Sequence, residues 1–317
     1  MSCKKTSIGG QALIEGIMMK GPEKTVMAVR MKDGSIDVSE MNLKSAKDKS
    51  VFFRIPIIRG VFNFVESMIV GYKAMMESAD KSGYLDEIEE EEKKKNGEKN
   101  DSGKLMTGIM LIATILAVVL CIGLFIYLPS LLFSGIEMLV GEAISPYRAL
   151  FEGILKIAIF LGYMAAVSLM KDIKRVFSFH GAEHKTIFCY EAGEELTVEN
   201  VRKQRRFHPR CGTSFMILML IVSIFVTLLL DFVFPSLKAV LWLRTIIKLL
   251  LVPIICGIGY ELIKICGRHD NFLTRIIAAP GLWIQRITVL EPDDSMIEVA
   301  IAAMKEVIPE NSEADKW

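Results

Sequence analysis

Histidine is scarce in this chain, and its placement is uneven. Only four occur in 317 residues, His180, His184, His208 and His269. Two of them enclose a glutamate in His180-Gly-Ala-Glu183-His184. Positions i and i+4 share a helix face, so helical backbone here lets both imidazoles reach one ion. Glu183, one residue before the second histidine, lies close to that face, where a general base can activate water. H-x-x-E-H is the spacing of inverzincin zinc enzymes. His208 and Cys211 follow in FHPRCGTSF and offer two more donors suited to zinc. A set of His180, His184, His208 and Cys211 would close a tetrahedron, as structural zinc sites do. Three ligands with an open position would be the catalytic arrangement. Glu191, Glu194 and Glu195 are further candidate ligands. A hydrogen-bonded histidine cluster without metal is the plain alternative, and spacing alone leaves these open. Lys185, Arg206 and Arg210 fit an anionic or carbonyl substrate, or simply a basic cytoplasmic loop.

Such a loop needs a frame. The chain is 52% hydrophobic yet 24% charged, which points to apolar blocks segregated from charged ones. This composition excludes a disordered chain, a collagen and a disulfide-rich secreted module. Net charge is +1, so no global field recruits nucleic acid. Residues 105–128 carry no charge and are long enough to cross a bilayer, which takes about 20 apolar residues. Further spans are expected at 150–170, 214–230 and 246–265, the last kinked at Pro253. Residues 1–104 carry 18 lysines and arginines, residues 171–213 carry nine, and the tail from Lys264 carries six, whereas the loops between are nearly empty. That alternation predicts four spans with both termini cytoplasmic. The N-terminus has no apolar segment of a cleavable leader, so later segments are expected to drive insertion. The six cysteines form no C-x-x-C and are expected to be reduced thiols.

The expected fold is a mainly α membrane protein of four transmembrane helices with a small N-terminal cytoplasmic domain. That domain, 1–83, contains a β-hairpin around Asp33-Gly34 and an amphipathic helix within 51–78. The helix is expected either on the membrane surface or packed on the hairpin. Residues 84–104 form a charged, solvated linker. Residues 105–265 make the membrane domain, with its histidine-rich loop at 171–213. Residues 266–317 form a cytoplasmic tail ending in an amphipathic helix that starts near Asp293, Asp294 and Ser295. Glycines 9, 10, 16 and 21 in IGGQALIEGIMMKGP mark tight turns or close backbone packing. Glu152 and Lys156, four apart inside the second span, are expected to form a structural ion pair.

Four segments, IGGQALIEGIMMKGP, FHGAEHKTIFCYEAGEELTVENVR, RFHPRCGTSF and PGLWIQRITVLEPDD, occur in an order that resembles the YqhQ-like bacterial membrane proteins. The resemblance covers nearly the whole chain apart from the acidic linker. It implies a multi-span inner-membrane protein of a family of unknown function, often labelled a predicted metal-dependent enzyme. His180, Glu183, His184, His208 and Cys211 all fall in its motifs; it supplies no substrate. The most concrete functional reading is a metal-dependent hydrolase with a divalent cofactor, zinc. The rival is a non-enzymatic scaffold or accessory factor in membrane-protein insertion or assembly. A transporter is the weaker third reading. Expected partners are membrane lipid and other membrane proteins or a membrane-biogenesis complex, without specific nucleic acid, and the chain is a candidate homo-oligomer.

Overall fold

The computed structural model describes residues 5–41, 55–88, 90, 103–269, 271–311 and 315. Near the N-terminus the chain builds a four-stranded antiparallel meander, β1 (Gly9–Leu13), β2 (Gly16–Lys20), β3 (Thr25–Arg30) and β4 (Ile36–Glu40), in the order β1-β2-β3-β4. The expected hairpin at Asp33-Gly34 is the β3–β4 turn. Gly34 takes φ +85°, and the Asp33 carboxylate accepts from the Ser35 amide at 2.9 Å. The first hairpin, β1–β2, went unforeseen because β1 opens on Gly9-Gly10 and the two central strands, β2 and β3, do not alternate. Gly-Ile-Met-Met and Val-Met-Ala-Val are apolar on both faces, since both faces of the sheet are covered. Ile17, Met19, Val26 and Ala28 face one core; Leu13, Met18, Met27 and Val29 face another, against Ala74.

Ala74 belongs to α1 (Ile58–Lys81), the expected amphipathic helix. It packs on the sheet and on the last span, where Gly60 meets Gly257 and Asn63 donates to the Tyr260 hydroxyl at 2.7 Å. Its other side exposes Val65, Met68, Ile69 and Tyr72. Of the two placements foreseen, packing on the sheet is the one the contacts bear out. Most of the charged linker lies outside the described residues.

Among the described residues, four helical stretches are long and apolar enough to cross a membrane. The first runs through α2 (Gly103–Ile122), a π turn (Gly123–Tyr127) and α3 (Leu128–Val140). It therefore reaches further toward the C-terminus than expected. The others are α4 (Arg148–Val167), α7 (Gly212–Val233) and α8 (Leu241–Arg268), the last helical straight through Pro253. α4 packs on α3 and α7, and α7 packs on α8. The connections at 141–147 and 234–240 close the end of the bundle opposite the sheet.

Between the second and third spans lie α5 (Lys171–Glu191) and the short α6 (Val198–Lys203). After α8 come α9 (Phe272–Thr288) and α10 (Asp294–Val307), the latter capped by the Asp293 carboxylate on the Met296 amide at 3.0 Å. Three distant segments share one core. Ile17 and Val26 of the sheet, Phe179 and Ile187 of α5, and Ile297 and Met304 of α10 pack together. This core clamps α5 at the mouth of the bundle, with the histidine motif on it.

Buried charge also ties the spans together. The Arg244 guanidinium lies fully buried between Asp231, at 2.7 Å, and Glu152. Lys248 reaches the second Glu152 oxygen at 2.6 Å and the Ser130 hydroxyl at 3.2 Å. Arg148 approaches Glu152 at 3.4 Å. The expected Glu152–Lys156 ion pair does not form, because cations from the fourth span occupy that carboxylate first.

Candidate metal centre

Helical backbone through α5 stacks His180 and His184 on one face, as the i, i+4 spacing requires. Their rings meet edge to face with centroids 4.4 Å apart. Cys211, the N-cap residue of α7, comes up against them. The ligand atoms of His180, His184 and Cys211 all lie within 4.8 Å of one another. His180 Nε2 sits 3.1 Å from Cys211 Sγ.

Hydrogen bonds decide which nitrogens face this point. His180 Nδ1 lies 3.0 Å from the Thr288 carbonyl, and His184 Nδ1 lies 2.6 Å from the Arg206 carbonyl. A carbonyl can only accept, so both Nδ1 atoms carry hydrogen and donate. Both Nε2 atoms are thereby left as lone-pair donors. This is the arrangement that orients metal-binding histidines elsewhere. The donor set fits zinc: two imidazoles and one thiolate leave a fourth position open. Zinc–nitrogen and zinc–sulfur bonds at tetrahedral angles hold N and S about 3.5 Å apart, so the 3.1 Å pair needs only a few tenths of an ångström of relaxation.

Glu183 stands beside the cluster, buried and close to Gly10 of β1, whose amide donates to its carboxylate. Burial pushes this carboxyl up to about 7, against the pull of His180 and the Gly10 amide. Gly10 has no room for a side chain, since a Cβ there would lie 2.8 Å from the Met18 carbonyl oxygen and 3.0 Å from the Glu183 carboxyl carbon. Close backbone packing therefore accounts for this glycine, as the sequence suggested. Burial holds His184 below its ordinary value and so keeps it neutral. The Cys211 thiol, raised by burial, is drawn down further by His184 and by the Thr213 hydroxyl and amide, and it ends below its usual range.

His208 is not part of this group. Its ring stacks near His184 at 5.5 Å, but its Nε2 faces Glu191 Oε2 at 3.8 Å. Glu191 in turn takes the Arg210 guanidinium and the Thr6 amide, the latter at 2.9 Å. Arg210 also donates to the Thr6 carbonyl at 2.8 Å. Lys185 is buried on Glu291 and on the Arg202 carbonyl at 2.9 Å, and Arg206 meets Glu291 at 3.1 Å. These cations thus hold the site's walls together, a role that neither of the readings offered for them describes. Glu194 and Glu195 do not join the cluster, and His269 is exposed at the end of α8.

Several positioning residues escaped the sequence reading. Gln285 of α9 is fully buried; it accepts from the His208 amide at 2.8 Å and donates to the His208 carbonyl at 2.7 Å and the Ser214 hydroxyl at 3.0 Å. It staples the strap that delivers Arg206 and Cys211. Gly181, inside the histidine motif, lets the Leu290 carbonyl pass; a Cβ there would lie 1.9 Å from that oxygen. The cluster opens onto a cavity of about 910 Å³ that runs into the bundle, with His180, Glu183 and Cys211 in its wall.

The family model "Protein of unknown function (DUF1385)" matches residues 55–310. A Bacillus subtilis (strain 168) protein carrying the description "Uncharacterized protein YqhQ" is 35% identical over 307 residues, covering 95% of this chain and 92% of that protein. No solved structure matches the chain.

Proposed function

The chain belongs to the DUF1385 family of proteins of unknown function, and from its geometry we propose that it is a membrane-embedded, metal-dependent hydrolase. His180, His184 and Cys211 hold a divalent ion, zinc by donor type. Glu183 is the general base. The observation that carries this reading is the pair of backbone-locked imidazoles aimed at one buried sulfur, at the mouth of a cavity. A structural site closes its tetrahedron; here His208 is spoken for by Glu191, and His180 and Cys211 lie in the cavity wall, where a fourth ligand of an ion held there would come from the cavity.

Zinc held there would supply Lewis-acid activation of water and of the scissile group. The chain does the rest. Thr288 and Arg206 fix the imidazole tautomers through their carbonyls. Burial leaves Glu183 near 7, where a carboxylate both takes and returns a proton at neutral pH. The sheet end of the bundle is the end that the basic segments mark as cytoplasmic, so the site lies at the inner face of a bacterial cytoplasmic membrane.

The test is metal content and metal spectroscopy on the full chain in mild detergent. One zinc per chain is expected, lost in His184→Ala and Cys211→Ser and kept in Glu183→Gln. Cobalt substitution should show a sulfur-to-metal charge-transfer band that Cys211→Ser removes. A chain that takes up no zinc on reconstitution overturns the reading. A Glu183→Gln variant that keeps its metal and replaces the wild-type gene without loss refutes the hydrolase; the site is then structural and the protein a scaffold.

A further inference from the structure

The cavity has a second polar end, deep in the bundle. Cys211, Phe215, Met219, Ser223 and Thr227 line it along α7. From Gly212 to Thr227 a helix rises about 22 Å, so the cavity follows most of a hydrocarbon core that is about 30 Å thick. Its middle is apolar. The Ser223 and Thr227 hydroxyls there already donate to carbonyls of their own helix, at 2.7 Å each. Along this stretch an extended peptide would find both hydroxyls already engaged and its backbone carbonyls unserved. Hydrocarbon needs no donor.

Lys156 stands on the stretch of α4 where Gly153 meets Ile224 and Phe160 packs with Ile217 of α7. The residue is 9% exposed, it lines the cavity, and among the described residues it makes no hydrogen bond and no ion pair. The charges around it explain why. The network of Arg148, Lys156, Arg244 and Lys248 faces Glu137, Glu152 and Asp231, four cations against three carboxylates. Glu152, one turn away, is taken up by Arg244 and Lys248. One positive charge is left over, in an apolar cavity at membrane depth, where an isolated ion is expensive.

We propose that this cavity binds a single-chain amphiphile with an anionic end group, a carboxylate or phosphate, seated on Lys156. The chain runs back along Met219 and Phe215 toward the metal centre. That is the orientation of a lipid in the leaflet far from the sheet, with its head toward the far surface. A volume of about 910 Å³ suits such a ligand, as ligand cavities run to about 1,000 Å³. The site needs no metal, so its failure would leave zinc binding untouched.

Native mass spectrometry of the full chain in neutral detergent tests this, with palmitate and lysophosphatidate as the anionic probes and methyl palmitate as the uncharged control. At least one anion is expected to bind tenfold or more tighter than the ester; which one does so identifies carboxylate or phosphate as the source. Lys156→Met should remove that preference and leave the weak ester binding intact, which also shows that the variant folds. Lys156→Arg should restore it. Ser223→Phe, which fills the cavity, should weaken acid and ester alike. Equal binding of acid and ester, or undiminished anion binding in Lys156→Met, overturns the proposal.

Discussion

Gln285→Leu is the sharpest probe of how the site is held, because the residue touches no candidate ligand. Leucine keeps most of the volume of glutamine and removes three hydrogen bonds. The His208 amide and carbonyl, stapled at 2.8 and 2.7 Å, lose their partner on α9. Each buried group left without a partner costs about 1–3 kcal/mol, so the two together cost roughly 2–6 kcal/mol. The Ser214 hydroxyl can rotate to a helix carbonyl and adds little. The strain falls on the segment that delivers the Arg206 carbonyl to His184 and the Cys211 sulfur to His180. Loss of such an outer support typically weakens metal binding by about 10–100-fold. The assay pairs a thermal-denaturation scan in detergent with zinc competition against a chromogenic chelator. A lower midpoint with zinc binding weakened by at least tenfold is expected. Gln285→Glu should be milder, since it keeps the acceptor for the His208 amide. If Gln285→Leu lowers stability but leaves zinc affinity unchanged, the strap does not position the ligands and the reasoning fails.

Three further outcomes follow from single contacts. Gly181→Ala places a Cβ 1.9 Å from the Leu290 carbonyl oxygen, so about 1–3 kcal/mol of destabilisation or more is expected, with the 289–292 connection displaced, as read by denaturation and limited proteolysis. Asp293→Ala removes the cap of α10 and should cost about 1 kcal/mol near neutral pH. Burial alone would raise this carboxyl, but its bonds from Ser295 and Met296 and the nearby Arg175 hold it below its ordinary value of 3.8. Its folded value is therefore depressed, the stabilisation is present above 3.8, and the gap between variant and parent should close as pH falls through the folded value. Arg244→Met leaves Asp231 without its ion-pair partner in the bundle, while Glu152 keeps Lys248, and should cost about 3–5 kcal/mol, seen as loss of monodisperse protein after extraction. Adding Asp231→Asn should recover part of it.

What was legible in the sequence divides along a physical line. The spans were readable because lipid imposes a length and forbids unpaired charge, and both leave marks on contiguous residues. The Asp33-Gly34 hairpin was readable because its turn demands a particular backbone. The first hairpin was not, since β2 is buried on both faces and loses the alternation that announces a strand, and Gly9 and Gly10 of the partly exposed β1 read as loop. The first span extends through α3 because Ser130, Ser134 and Glu137 face partners inside the bundle, so polar residues there did not end it.

The site was legible only in its local part. His180, Glu183 and His184 share one turn-and-a-bit of helix, and spacing alone brings them together. Cys211 and His208 stood equally close in sequence, and nothing local separated them. The separation comes from Glu191, which sits two helical turns beyond His184 and takes His208 into an ion-pair group with Arg210 and the Thr6 backbone. Cys211 has no such competitor and falls to the imidazoles. The same competition decides Lys156. From sequence its partner is Glu152, four residues away. In the fold Arg244 and Lys248 arrive from another helix and engage both oxygens of the carboxylate, with Arg148 beside them. Where several buried cations compete for few acceptors, sequence neighbours are not favoured partners, because burial and geometry set the strength of each pair. The cation that loses is then the one available to a ligand, and in this molecule it lines the same cavity as the histidine cluster.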